Sequence, residues 1–416
     1  MSKRPPLFLR GLGFLTISFL IFFLIQPLYL PLGEVLRWHN FLHQPEDSID
    51  VVFLGTSHTY HSFNPEVIDD LLPIHSHAVG IPGDNIQIVY HEIKSILRRQ
   101  NPQAIFIDAF SLSMTHWLDG PYVYRFLNAS FSPPQVMSAV DILFSNGYQW
   151  INYFPFRRYQ GDRADFIQLM KNPKDTSPPE YPENPKGYAR LTSIITDEAY
   201  ANIPMETYLG PMPEQYLQAL EQVIEQSRTH DFKLAFTDTL WKGFENPVYD
   251  LYDPTEALTL IRNEDIDYFD FRADPLAYPW TQIHYYDRDH PSEFGALILS
   301  VRMAALISEI MDLPVDEAKL AWYQNFYFEE FDLEFDGHQC ELALIPANPQ
   351  APLNYCYQLL AADETTPLTD PVCSTHSAVS IPVPTPESYW IAVSITQKGG
   401  NFELQGRFAC IPPKIE

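Results

Sequence analysis

Nucleophilic catalysis needs a hydroxyl or thiol, a base and a group that holds the base, and this sequence places such residues at two widely separated points. Ser57 closes the run Asp50-Val51-Val52-Phe53-Leu54-Gly55-Thr56-Ser57, in which an apolar stretch of buried-strand character stops abruptly at Gly-Thr-Ser. A serine one small turn past the carboxyl end of such a strand stands in the crevice where open α/β sheets bind their ligands. The same tripeptide is also ordinary turn chemistry leading into a helix cap, so the serine alone decides nothing. A base must remove its proton, and a carboxylate must fix the tautomer of that base and stabilise the imidazolium. Far downstream, Tyr286-Asp287-Arg288-Asp289-His290-Pro291 offers His290 as the base, with Asp287 or Asp289 as the carboxylate. His58, His61, His75 and His77 form a second histidine constellation. A metal site could be built from them, but no carboxylate has ligand spacing and lone histidines are commonly satisfied by hydrogen bonds, so neither metal nor cofactor is assigned. His58, next to the serine, is a candidate substrate contact.

The elements that must position these groups follow from periodicity. Asn64-Pro65-Glu66 reads as a helix start with an asparagine cap, running to about Leu72. Ile86, Val89, Tyr90, Ile93, Ile96 and Leu97 recur at three and four, as in a helix packed on a sheet. Ala104 to Asp108 reads as the next buried strand, Tyr216 to Ile224 as another helix, and Lys233 to Thr237 and Tyr268 to Phe271 as further strands. Phe294, Leu297, Ile298, Val301, Ala304 and Ala305 mark one face of a closing helix. Strands alternating with helices predict an α/β domain, a three-layer sandwich with a mainly parallel sheet, over residues 48–315. Residues 110–210 are rich in aromatics and proline turns with little periodicity, and read as an insertion or lid.

Strand-Gly-x-Ser at Ser57, the loop Gly80-Ile81-Pro82-Gly83-Asp84-Asn85 and Asp287-x-x-His290 before the last helix together resemble the SGNH/GDSL hydrolase superfamily, over about residues 48–312. The resemblance is nearest to membrane-anchored, extracytoplasmic members that transfer or remove acyl groups on surface glycans, including the D-alanyl transfer proteins of teichoic acid modification. It implies Ser57 as nucleophile and His290 as base, and the family spacing of three favours Asp287 over Asp289 as the carboxylate. It also implies an oxyanion hole from the backbone N–H groups of Ser57 and Gly83, with Asn85 close by as a candidate substrate contact. The family's third motif brings an asparagine. Here Asp108-Ala109-Phe110-Ser111 stands in its place, and an anionic Asp108 would oppose an oxyanion, so either the hole uses backbone donors alone or Asp108 binds something else, a substrate contact among the candidates. The implied partners are an acylated glycan or acyl-carrier substrate and a membrane-bound acyltransferase.

Composition sets the compartment and excludes some functions. The 416 residues are 46% hydrophobic, enough for sizeable cores. A formal charge of -27, from 53 acidic and 26 basic residues, disfavours nucleic acid as a partner. Between Arg10 and Glu34 there is no charged residue, and the apolar run from Leu12 to Ile25 predicts one bilayer-crossing helix. Lys3, Arg4 and Arg10 precede it, which keeps the short tail cytoplasmic and exports the rest. A cleaved signal peptide would need a small-x-small pattern after the run, where Gln26-Pro27-Leu28-Tyr29-Leu30-Pro31 stands instead. Residues 1–33 therefore read as an uncleaved signal-anchor and 34–47 as a connector. The expected location is the cell membrane, single-pass, with the remainder extracytoplasmic. Cys340, Cys356, Cys373 and Cys410 suggest two disulfides of an oxidising compartment, with three pairings open. Residues 325–416 alternate apolar and polar over short runs and predict an all-β domain of β-sandwich type, either carbohydrate-binding or partner-docking. Two functions fit: an anchored serine esterase or O-acyltransferase working through an acyl-enzyme, or a catalytically idle glycan-binding scaffold of a polysaccharide modification complex.

Overall fold

The computed structural model describes residues 33–114, 186–195, 208–239, 251–273 and 280–410, apart from 337, 385–387 and 398–399, together with a few positions between 13 and 21. Most of the predicted anchor and most of the predicted insertion lie outside the described residues. Phe14, Ile17, Leu20 and Ile21 are helical and exposed.

In chain order the elements are α1 (Gly33–Leu42), β1 (Val51–Leu54), α2 (Ser57–Ser62), α3 (Pro65–Leu71), β2 (Ser76–Ala78), α4 (Ile86–Ile96), β3 (Ala104–Asp108), β4 (Tyr208–Pro211), α5 (Glu214–His230), β5 (Lys233–Asp238), β6 (Leu251–Asp253), α6 (Thr255–Asn263), β7 (Asp267–Asp270), α7 (Glu293–Met311) and α8 (Glu317–Gln324). Seven strands follow: β8 (Phe328–Phe335), β9 (Gln339–Pro346), β10 (Leu353–Leu360), β11 (Val372–Ser374), β12 (Ala378–Pro382), β13 (Tyr389–Gln397) and β14 (Glu403–Cys410).

The first sheet is parallel throughout, in the order β2-β1-β3-β5-β7. Its central strands are buried on both faces, and alternate residues feed two separate cores. Val51, Phe53, Ala104, Phe106 and Ala235 join α3 and α7 on one side. Val52, Leu54, Ile105, Ile107, Leu234 and Phe236 join α1, α4, α5 and α6 on the other. This is the expected α/β layering, and it explains why these strands read as unbroken apolar runs. α7 is long and apolar enough to cross a bilayer, but it is mostly buried and packs as the core helix of this layer.

One expectation is corrected. The predicted connector at 34–47 is for the most part helix α1, and Arg37, Trp38 and Phe41 are buried against the domain. The apolar spacing of Trp38 and Phe41 on one face carries it into the core rather than leaving it as a tether.

The C-terminal strands form two antiparallel sheets, β11-β10-β13-β14 and β12-β9-β8. Cys340–Cys410 joins the two sheets and Cys356–Cys373 links neighbouring β10 and β11, which selects one of the three open pairings. Their inward residues belong to the same apolar cluster as α7. Phe294, at the start of α7, lies 5.4 Å from Phe328 and 6.4 Å from Phe408 between ring centroids. The β region is therefore fused to the α/β region through a shared core.

Several ionisable groups are buried, which makes folding depend on pH. Burial lifts Glu92, beside Asp84, Trp38 and Arg37, to about 8. It lifts Asp108 to about 7. Each keeps in the native state a proton that the unfolded chain loses above the ordinary carboxylate range, so stability falls as pH rises toward those values. Buried His58, His61 and His284 are held neutral, so they oppose this trend only below the ordinary imidazole range near 6.5. The melting midpoint should accordingly drop by about 3 °C or more between pH 6.5 and pH 8, and Glu92→Gln should reduce the drop. Calorimetry at the two pH values checks both.

Candidate active site

The site grows from the ends of β1 and β3, which lie side by side in register, Leu54 opposite Ile107. After β1 the chain must turn sharply under its neighbours. Gly55 has φ +131°, and a Cβ there would stand 2.7 Å from that of Asp108; a Cβ on Gly80 would stand 2.3 Å from the Gly55 carbonyl oxygen. Only glycine fits at either point. Thr56 then caps α2, its hydroxyl accepting from the His58 N–H at 3.3 Å, and Ser57 is the first helical residue. The Thr59 hydroxyl donates back to the Leu54 carbonyl at 3.1 Å and fixes the helix on its strand.

His290 arrives from the loop before α7. That loop is closed by the Tyr286 N–H on the His290 carbonyl at 3.1 Å and the Ser292 N–H on the His284 carbonyl at 2.9 Å. Asp287 shapes the loop from inside, its Oδ1 accepting from the N–H groups of Asp289 and His290 at 2.7 Å each. The same carboxylate lies 3.1 and 3.0 Å from Nδ1 of His290. A carboxylate can only accept, so Nδ1 carries the proton and Nε2 is left to accept from Ser57 Oγ, 2.8 Å away. Of the two aspartates left open by the sequence, Asp287 holds the ring, and Asp289 contributes its backbone N–H to that arrangement.

The electrostatics follow from this pairing. Burial works against protonation of His290, but the charge and hydrogen bond of Asp287, aided by Asp289 and Asp108, outweigh it and raise the imidazole above its ordinary value. Burial would likewise raise Asp287; the His290 charge and the three hydrogen bonds overcome it and leave the carboxyl below its usual range. His58 and His61 flank the His290 ring edge-on, with centroids 5.5 and 5.1 Å from it. Burial first, and the proximity of His290 second, push both well below the ordinary imidazole value. One charge-bearing imidazole thus sits between two neutral ones.

The remaining expected residues are placed as follows. Gly83 lies half-buried with φ +75°, in the turn where the Asp84 N–H bonds the Ile81 carbonyl at 3.1 Å. The Ile81 N–H bonds the Gly55 carbonyl at 3.1 Å, which ties this turn to the loop carrying Ser57. Asn85 is corrected as a substrate contact: it is fully buried, its Oδ1 caps α4 through the N–H groups of Gln87 and Ile88, and its amide donates to the Tyr216 hydroxyl at 3.0 Å. Asp108 is corrected too. It is buried, one oxygen accepts from the Thr56 hydroxyl, and the other accepts from the Phe110 N–H at 3.1 Å. Both oxygens are engaged behind Ser57, so Asp108 fastens β3 to the turn that carries it. His58, 2% exposed, packs 4.6 Å from the Phe110 ring, with Nδ1 3.8 Å from Asp108. That burial makes it a wall of the site, not a surface contact. The four-histidine constellation does not assemble: His77 lies in β2 with its ring 5.3 Å from Phe41, on the face away from α2.

Arg37 and the segment 186–195 escaped the sequence reading. Arg37, in α1, lays its guanidinium 3.5 Å over the Tyr60 ring and donates to the Gly80 carbonyl at 2.8 Å. It thereby joins α2 to the start of the glycine loop. Across that junction runs the strap 186–195, whose Ala189 carbonyl accepts from His61 Nδ1 at 2.6 Å. A lone arginine in a tether and a short stretch inside an aperiodic region carry no periodic signal.

No family model matches the chain, and no curated protein matches it. Among solved structures, one described as a crystal structure of an engineered protein is similar at 9% identity, covering 91% of this chain and 97% of that one. Its TM-score of 0.19 carries no argument about the fold.

Arg37→Ala should destabilise the protein by about 3 kcal/mol, since it strips the Gly80 carbonyl of a donor and Tyr60 of a stacked cation. Chemical denaturation of the full chain checks this, and an unchanged midpoint would contradict the account of Arg37 as the joint of the two loops.

Proposed function

We propose that the protein is a membrane-anchored, extracytoplasmic serine esterase or O-acyltransferase that acts on acyl esters of cell-surface or exported glycans through an acyl-enzyme. The observation that carries this reading is the continuous chain from Ser57 Oγ to His290 Nε2 and from His290 Nδ1 to Asp287. In the first step Ser57 Oγ attacks the ester carbonyl while its proton passes to Nε2. The tetrahedral oxyanion is received by backbone N–H groups, those of Ser57 and Gly83. His290 then gives the proton to the departing alcohol, which leaves the acyl group on Ser57. Water or a sugar hydroxyl, deprotonated by the same imidazole, takes the acyl group in the second step. Asp287 keeps the carboxylate charge and stabilises the imidazolium formed in each half.

Asp108 is fastened to Thr56 and Phe110, and burial raises its carboxyl to about 7, which weakens at neutral pH and below the charge that would oppose an oxyanion. This supports an oxyanion hole made of backbone donors alone. The exported location draws support from the charge-free segment before α1 and from Cys340–Cys410 and Cys356–Cys373, which suit an oxidising compartment.

Labelling with a fluorophosphonate, mapped by mass spectrometry, tests the reading directly. Wild type should be modified at Ser57, Ser57→Ala should not react, and His290→Ala should lose nearly all reactivity without adding to the first loss. Folded wild type that fails to react would reject the reading. The labelling rate should rise with pH through the raised His290 value, because the base acts only when neutral. Asp287→Asn should lower the plateau by roughly 10³-fold and move the acid limb to lower pH, since it removes the charge that holds the proton on the ring.

A further inference from the structure

We propose that the outer face of β10, β13 and β14 is a binding groove for a neutral, polyhydroxylated chain, a glycan segment of uncharged sugars. The three strands are in register so that Gln358, Ala392 and Arg407 form one row across the sheet, and Cys356, Ser394 and Gln405 form the next. Because strand side chains alternate, these residues share the face opposite Tyr357, Val393 and Phe408, which enter the core. An open sheet face is flat, but this one is walled. Along β14 the strap 186–195 pairs with it, the Arg407 N–H donating to the Thr192 carbonyl at 2.7 Å and its carbonyl accepting from Ile194 at 2.9 Å. The loop after β10 folds over the rows, closed by the Leu360–Pro367 bridge, and is fastened to the strap by the Ser193 hydroxyl on the Glu364 carboxylate at 3.0 Å. The half-open groove has a volume of about 520 Å³, within the range of ligand sites.

Its chemistry selects the ligand. Donors come from the Gln405 amide and Arg407, and acceptors from Gln358 and Ser394, whose own donors are held by the Thr369 carbonyl and the Glu403 carboxylate, so donors and acceptors stand together, as vicinal hydroxyls require. Arg407 and Glu364 contribute one charge of each sign, and among the described residues Arg407 has no ion-pair partner, so its fork of donors is available to a ligand. Ala392, Leu360 and Pro367 give small apolar surfaces for the C–H faces of sugar rings. An anionic polymer would meet the field of a protein with formal charge -27, which leaves an uncharged chain as the fitting occupant. The strap leads from this groove to the triad: Ala189 holds His61, whose ring is 5.1 Å from that of His290, and the four residues from Ala189 to Ser193 span at most about 14 Å. That the bound chain is the substrate delivered to Ser57 rests on the catalytic reading above; the groove itself does not.

Affinity electrophoresis of the full chain carrying Ser57→Ala, in detergent, in gels containing hydroxyethyl cellulose, galactomannan, pullulan or polygalacturonate, tests the proposal. Retardation by at least one of the three neutral polymers is expected, weakened about tenfold or more by Arg407→Ala with Gln358→Ala. Ala392→Trp, which fills the groove from its floor, should abolish retardation, and melting midpoints check that these surface variants fold. No retardation in any neutral gel, retardation by polygalacturonate alone, or retardation untouched by all three substitutions would overturn the proposal. Retardation by a neutral polymer in a chain whose wild type resists fluorophosphonate would keep the groove and reject the esterase.

Discussion

Everything at the candidate site depends on how closely three backbone segments meet at the carboxyl edge of the parallel sheet. Gly55 sits between Asp108 on one side and Gly80 on the other, at separations that leave no room for a side chain. That contact brings the ends of β1 and β3 and the glycine loop together, so the first residue of α2 projects from their junction. Asp108 and Thr56 lock the junction, and Arg37 ties its far side to α1 through Gly80 and Tyr60. A small shift at this point would move the serine and the Gly83 turn together, because the Ile81 N–H binds the carbonyl of Gly55 itself.

The second constraint is the placement of one basic imidazole among buried neutral ones. His58 and His61 supply shape and low dielectric around His290 without competing for its proton, because burial disfavours their charged forms. Asp287 supplies the charge from the same tight loop that bears the histidine, so its own backbone hydrogen bonds fix its direction. This division separates the group that titrates from the groups that only enclose it.

The β region bears on the same loop. Glu293, three residues after the histidine, accepts from the Gln405 N–H at 3.1 Å and pairs with Arg190 of the strap at 3.2 Å, while Phe294 is clasped by Phe328 and Phe408. The start of α7 is therefore set from outside the α/β layers. A residue in β14 and a residue in the strap reach the loop that bears His290 with one side chain between them, which gives the C-terminal strands a part in positioning it whatever they bind.

The sequence by itself determined the elements whose signals are local. The unbroken apolar runs of β1, β3 and β5, the Asn64-Pro65 start of α3 and the three-four spacing of α4 and α7 each reflect a face that must be buried, and burial leaves a periodic trace. Ser57, Asp287 and His290 were legible because the short spacing of the loop and the strand-turn-serine step are themselves local. Tertiary structure alone decided that Asp108 turns to Thr56, that Asn85 caps α4 with both ends of its amide engaged, and which cysteines pair. Each of these depends on the direction of a side chain between segments far apart in sequence, and direction is fixed by packing. The same reason hid Arg37, since a cation in a tether and a cation buried under Tyr60 look alike until the helix that carries it is docked.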